Sequence, residues 1–245
     1  MVNMNILLCS SKFVDGDIAG NAKKIIDLLE MNSKKDIEFV FLGEAFLNGF
    51  DSLKWDYSMD LLMKNDTLKY VELISEKCNE YNTGVGFGYF EFDKDNIYSS
   101  YIVFDSNGNE VSNYRRISKG WRFPNVDSNI YKEGNQIAKF VYRNVTFGLG
   151  LCGDVWDDRL YNKYIEQSFD VFLWPVYVSY DKAQWYRNER ENYIHRSSKL
   201  AKYVLYVNSV SDVPSFGGSY LQLDRKLIEE KPLSGEETSL KVIIE

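Results

Sequence analysis

Two mixed β-sheets with helices on their outer faces, forming a single α/β domain over residues 1–245, is the architecture that the sequence predicts. Three observations carry it. Helical and strand patterns are interspersed along the chain, and short hairpin turns are too frequent for a purely parallel, doubly wound sheet. Only four prolines occur, and no Pro/Gly/Ser-rich linker, low-complexity block or internal repeat divides the chain.

Residues 5–9 read as the first strand, and 19–31 as an amphipathic helix that sets Ala22, Ile25, Ile26, Leu28 and Leu29 among lysines. A buried strand over 37–42 runs directly into Gly43 and Glu44, followed by the Phe/Leu-rich turn 45–50. An acid in that position is either a solvated loop carboxylate or a buried one. Burial would raise its pKa and make it a better base near neutrality, while a nearby cation would pull the other way.

Residues 66–81 read as a second helix, and 84–92, 97–104 and 111–117 as a meander of three strands. The second hairpin turn, Asp105-Ser106-Asn107-Gly108-Asn109, is a strong signal. Glu91 in this meander is either a site-side carboxylate or a cross-strand partner for a base. At the meander's end Arg115, Arg116, Lys119 and Arg122 gather with Tyr114 and Trp121. An extended strand puts Arg116 on the face of Tyr114 and Arg115 on that of Ile117, while Lys119 depends on how the Gly120 turn aims it.

Strand 145–152 alternates Val145, Phe147, Leu149 and Leu151 on one face with Thr146, Gly148, Gly150 and Cys152 on the other. The cysteine face is nearly bare, so another segment or a ligand can approach the sulfur. Gly153, next in the turn, offers a backbone N–H beside it. A buried structural thiol is the competing reading of Cys152. Beyond it, 157–167 suits a helix, 170–178 a buried strand and 183–202 a helix, with strands at 203–208, 218–223 and 240–244. His195, among Arg187, Arg190 and Arg196, reads as a surface or interface residue.

Composition narrows the function classes. The chain is 44% hydrophobic and 27% charged, as ordinary soluble proteins are, and its 36 acids against 29 bases give a formal charge of -7 that argues against a nucleic-acid partner. Three cysteines at no metal-ligand spacing and a single histidine leave no zinc site and no Ser/His nucleophile. No basic signal region opens the chain and no run reaches the ~18 apolar residues of a membrane span, so a cytoplasmic protein with reduced thiols is expected.

Taken together, Leu42-Gly43-Glu44-Ala45-Phe46-Leu47-Asn48-Gly49-Phe50, Asn113-Tyr114-Arg115-Arg116-Ile117 and Leu151-Cys152-Gly153-Asp154-Val155-Trp156-Asp157 resemble motifs of the carbon-nitrogen hydrolase, or nitrilase, superfamily. The strand ending Trp174-Pro175, the helix-strand unit 200–208 and Phe216-Gly217-Gly218-Ser219 extend the likeness over nearly the whole chain. The resemblance implies an α/β/β/α four-layer sandwich that pairs as a homodimer through a helical face. It also implies hydrolysis of amides, ureides or nitriles by a Glu, Lys, Cys triad, with no metal and no cofactor. By matching motif Glu44 is the general base and Cys152 the nucleophile that forms a thioester, with the Gly153 N–H as an oxyanion donor.

The sequence departs from that pattern at two places. The position of the triad lysine holds Arg116, which cannot act as an acid or base near neutrality, and the nearest lysine is Lys119. Counting back from Tyr131, the place of a second acid holds Asp127. Trp156 and Tyr177 are candidates for substrate contact, with Tyr180, Trp185 and Trp121 behind them. The expected function is thiol-dependent hydrolysis of a small amide. The alternative is a catalytically impaired relative that binds a small molecule or a protein partner. A lipoprotein acyltransferase would need membrane spans and an ammonia-donating synthetase an attached ligase domain, so neither is expected.

Overall fold

Near-continuous apolar runs give each central strand two buried faces, and the computed structural model, which describes residues 3–212 and 214–245, is layered accordingly. One six-stranded sheet holds β1 (Met4–Ser10), β2 (Phe39–Phe41), β3 (Gly84–Asp93), β4 (Asn96–Phe104), β5 (Glu110–Arg115) and β14 (Thr238–Ile244), in the order β14-β1-β2-β3-β4-β5. Its centre, β1-β2-β3, is parallel and its flanks are antiparallel. The other six-stranded sheet holds β6 (Ala138–Tyr142), β7 (Val145–Leu149), β8 (Phe169–Val176), β9 (Ala201–Asn208), β12 (Ser219–Leu223) and β13 (Lys226–Lys231), in the order β13-β12-β9-β8-β7-β6. Here β7, β8 and β9 form the parallel centre. A short ribbon of β10 (Val210–Ser211) and β11 (Ser215–Phe216) lies apart.

The two sheets meet through Ile6, Leu8, Phe39 and Phe41 on one side and Phe147, Leu149, Leu173 and Leu205 on the other. The outer face of the first sheet is covered by α1 (Ile18–Asn32) and α3 (Lys64–Tyr81), with the short α2 (Tyr57–Asp60) just before α3. The second is covered by α4 (Asp158–Glu166) and α6 (Arg190–Ser197), the latter preceded by α5 (Lys182–Gln184). This is the expected α/β/β/α arrangement. Among the described residues no helix is long and apolar enough to cross a membrane.

Several details differ from expectation. The expected helix 183–202 is α5, a π-turn over Trp185–Glu189, and α6, which stops at Ser197 so that β9 can begin at Ala201. The expected strand 111–117 ends at Arg115, because a carboxylate takes the N–H groups of Ile117 and Ser118 that a ladder would use. The edge strands β6 and β13 were not anticipated, because a charged, half-exposed sequence there carries little apolar alternation; nor was the ribbon of β10 and β11, whose two-residue strands are too short to show a period.

Candidate active site

Glu44, Arg116 and Cys152 come from three separate segments, and each segment has a local reason for its position. Just past β2, Glu44 donates its N–H to the Val176 carbonyl at the end of β8, which ties the first sheet to the second (3.3 Å). On its other side it passes over Gly88, where a side-chain carbon would lie only 2.2 Å from the Ala45 nitrogen. The pinched path leaves Ala45 in the left-handed region at φ 50°, a conformation that costs an alanine about 1 kcal/mol or more.

Arg116 follows β5. Its N–H donates to the Ser99 carbonyl (2.8 Å) and its carbonyl accepts from Gly134 (2.8 Å). Alternation in β5 sends Arg115 to the opposite face, where it pairs with Glu91 and Asp93. Glu91 is thus the cross-strand partner of a base.

Cys152 opens a 3-10 turn, Cys152–Trp156, directly after Leu151, and is itself left-handed at φ 39°. Asp154 holds that turn in place. Its carboxylate, fully buried, accepts from the N–H groups of Leu151 (2.9 Å), Ile117 (3.1 Å) and Ser118 (2.7 Å) and from the Tyr114 hydroxyl (2.7 Å). The cysteine turn and the end of the arginine strand therefore hang on one side chain. Burial raises the Asp154 pKa, while Arg116 and these donors work against the rise. Sequence reasoning quoted Asp154 within a motif but gave it no task; an acid two residues after the cysteine, inside an apolar stretch, was the available signal.

Arg116 and Glu44 form a buried ion pair, Nη1 to Oε1 at 2.7 Å, with the two side chains 3% and 0% exposed. Ser99 Oγ also donates to Oε1 (3.2 Å), and Arg116 Nε donates to Ser118 Oγ (2.9 Å). Two atoms of the pair stay out of that contact. Glu44 Oε2 is buried with no hydrogen-bond partner among the described residues. Arg116 Nη2 lies against Gly153, where a side-chain carbon would stand 2.4 Å from it, so that position accepts no larger residue without displacing the guanidinium. Burial opposes the Arg116 charge most strongly, but the Glu44 charge and hydrogen bond together with Cys152 and Asp154 outweigh it, and the guanidinium pKa ends above its ordinary value.

The Cys152 thiol is half-buried and donates to the Tyr177 carbonyl (3.7 Å), while the Cys152 carbonyl accepts from the Trp174 indole (3.0 Å). Burial, then the Glu44 charge, push the thiol up to about 12, with Arg116 opposing them. This favours the thiol over the thiolate at neutral pH, and the thiolate is the form in which a cysteine reacts. Cys9 and Cys78 are buried in the layer between the first sheet and its helices, which makes them core residues.

Most of the other sequence candidates lie elsewhere. Lys119 is exposed and borders a separate groove with Ile117, Asp157, Arg159 and Lys163. The reason is local: with Ile117 and Ser118 held by Asp154, the chain turns at Lys119 into a 3-10 turn, Lys119–Trp121. Asp127 is exposed too, and its carboxylate accepts from the Asn129 N–H (2.8 Å) in a surface turn. Trp156, 40% exposed, packs edge-on to Tyr193 (4.9 Å) beneath Arg196, on the helix α6 side. Tyr177 offers the thiol its main-chain carbonyl, while its ring stacks on Phe50 at 4.6 Å.

Residues 1–225 match the family model for carbon-nitrogen hydrolases, and the chain belongs to that family. A glutamine-dependent NAD(+) synthetase of Thermotoga maritima is 24% identical over 161 residues, which are 64% of this chain and 27% of that protein. Among solved structures, a glutamine-dependent NAD+ synthetase from Acinetobacter baumannii superposes with a TM-score of 0.81 at 19% identity, over 100% of this chain and 46% of that one. An amidase from Nesterenkonia sp. AN1, in a variant with acrylamide added to its active-site cysteine, superposes with a TM-score of 0.79 at 13% identity, over 98% of this chain and 92% of that one. The chain thus spans about a quarter of the curated synthetase it matches and nearly all of the amidase.

Proposed function

We propose that this protein hydrolyses the C–N bond of a small primary amide, with Cys152 as nucleophile, Glu44 as the proton carrier and Arg116 as the fixed cation. The observation that carries the reading is the half-used ion pair. One carboxylate oxygen and one guanidinium nitrogen hold each other, while Glu44 Oε2 stays unpartnered and Arg116 Nη2 stands beside Gly153.

In this reading Glu44 Oε2 takes the Cys152 proton as Sγ bonds to the amide carbon. The oxyanion that forms is held by Arg116 Nη2 and the Gly153 N–H, donors whose charge or dipole needs no rearrangement. Breakage of the C–N bond follows, with the proton on Glu44 passing to the leaving nitrogen, and a thioester remains. Glu44 then takes a proton from water as its oxygen attacks the thioester, the C–S bond breaks and the proton returns to sulfur. Arg116 stays charged throughout, so every proton transfer rests on Glu44.

The amidase and glutamine-dependent relatives support an amide as substrate class. The test is ammonia release from acetamide, propionamide and L-glutamine, with Cys152→Ala as control. Wild-type protein is expected to release ammonia from at least one of them, and the variant from none. A second reading, a relative that binds without turnover, is favoured by the arginine in the triad position and by the high thiol pKa. It wins if no amide is hydrolysed and iodoacetamide labels Cys152 no faster than Cys9 and Cys78.

A further inference from the structure

We propose that Trp121 is a substrate-binding residue of this site, its indole N–H donating a hydrogen bond to an oxygen of the bound amide; the proposal rests on the reading of the site given above. Trp121 is 2% exposed, yet its Nε1 has no hydrogen-bond partner among the described residues. A buried indole normally finds an acceptor, because leaving one unpaired costs about 1–3 kcal/mol. An unpaired donor therefore needs an explanation.

Three neighbours locate it. Trp121 ends the turn that follows Arg116, and a side-chain carbon on the preceding Gly120 would lie 3.2 Å from Arg116 Nη2. Its turn packs against the turn that carries Cys152. Its ring belongs to the apolar cluster of Ala45 and Phe90, and Ala45 adjoins Glu44. All three members of the proposed machinery thus have a chain neighbour or a packed turn in contact with the surroundings of Trp121.

Glu44 Oε2, another buried atom without a hydrogen-bond partner among the described residues, is an acceptor. The Trp121 indole, added to Arg116 Nη2 and the Gly153 N–H on the donor side and set against Glu44 Oε2 as acceptor, complements an amide, whose oxygen accepts and whose NH2 group donates. With the NH2 group on Glu44 Oε2 the leaving nitrogen faces the group that must protonate it, and Trp121 fixes the other end. A site built with a buried polar group discriminates strongly against ligands that leave that group unpaired.

The experiment separates binding from turnover. In 15N-labelled Cys152→Ala protein each of the five tryptophans contributes one indole N–H resonance, and that of Trp121 is identified by its loss on Trp121→Phe. Titration with acetamide, propionamide and L-glutamine is expected to move the Trp121 resonance most. Trp121→Phe, which keeps the ring packing, is expected to weaken amide binding by about tenfold and, with Cys152 present, to raise KM more than it lowers kcat. Should an amide bind while the Trp121 resonance stays still, or bind equally well to Trp121→Phe, the proposal fails and the hydrolase reading stands. Should wild-type protein release no ammonia and no probe bind, both fail. If Trp121→Phe does not fold, the Trp121 indole resonance is assigned in Cys152→Ala protein by sequential triple-resonance experiments, and its shift decides alone.

Discussion

Arg115 and Arg116 are chain neighbours with the same side chain, and each pairs with a glutamate, yet only one of them belongs to a candidate active site. Arg115, 31% exposed, uses Nε and Nη2 on both oxygens of Glu91, reaches Asp93 as well, and lies 3.9 Å over the Tyr98 ring. Glu91 Oε2 also accepts from Ser100, so that carboxylate has no idle oxygen. Arg116 and Glu44 are sealed from water and touch through one oxygen and one nitrogen. Strand alternation produced both pairs. What separates them is solvent and saturation: a saturated, hydrated pair has nothing left to offer a substrate, whereas a dry, half-used pair keeps a base and a donor in reserve.

The largest effect expected from this contrast is on stability. Arg116→Met leaves Glu44 buried without its cation, and loss of one partner of a buried pair costs about 3–5 kcal/mol. Arg115→Met leaves carboxylates that water can reach, so a cost of about 1 kcal/mol or less is expected. Urea denaturation of the two variants measures the difference directly. Turnover should follow the same order, with a loss of about 10²–10³ for Arg116→Met, the scale of an oxyanion donor, and little change for Arg115→Met. Equal destabilisation by the two would mean that the Arg116 pair is no drier than its neighbour.

The sequence made the pair's members legible but not their union. The positions of Glu44 after a buried strand, Cys152 on a bare strand face and Arg116 on the face of Tyr114 follow from periodicity and turn chemistry, which are local, while their joint role comes from the family resemblance. The fold class is legible for the same reason, since hairpins and apolar runs report on their own segments. Which cation meets Glu44 is not local. It is decided by Asp154, which takes the Ile117 and Ser118 N–H groups across a gap of more than thirty residues and so ends β5 just before Arg116. No pattern within residues 111–122 records that bond. The edge strands β6 and β13 escaped for a different reason: Lys139 and Lys226 sit in segments exposed enough that charge masks the alternation.

A smaller effect sharpens the electrostatic side of the comparison. The Cys152 thiol titrates at about 12 because of burial first and the Glu44 charge second, so removing that charge lowers the pKa. Glu44→Gln should therefore shift the rise of Cys152 alkylation by iodoacetamide to lower pH, since the thiolate is the reactive form. Turnover should move the opposite way and drop by about 10²–10⁴, the contribution of a positioned general base. A pH-rate profile for alkylation set beside ammonia release measures both. If the alkylation profile does not shift, Glu44 and Cys152 do not feel one another and the proposed proton transfer has no path.

The smallest effect is expected at Lys119, and it is the one that decides between the two cations the sequence left open. Lys119 is exposed in the turn after Ser118, and its groove also holds Arg159 and Lys163. Asp157 in the same groove pairs with Arg159, and Lys119 joins no ion pair among the described residues, so removing it breaks none. Lys119→Met should leave stability within about 0.5 kcal/mol, as surface substitutions do, and leave ammonia release and its pH dependence unchanged. A tenfold fall in turnover with unaltered stability would instead mean that the turn swings during catalysis and brings the ammonium to the oxyanion. In that event Arg116 would serve only to hold Glu44, and the division of labour between the two arginines would have to be redrawn with Lys119 as the acting cation.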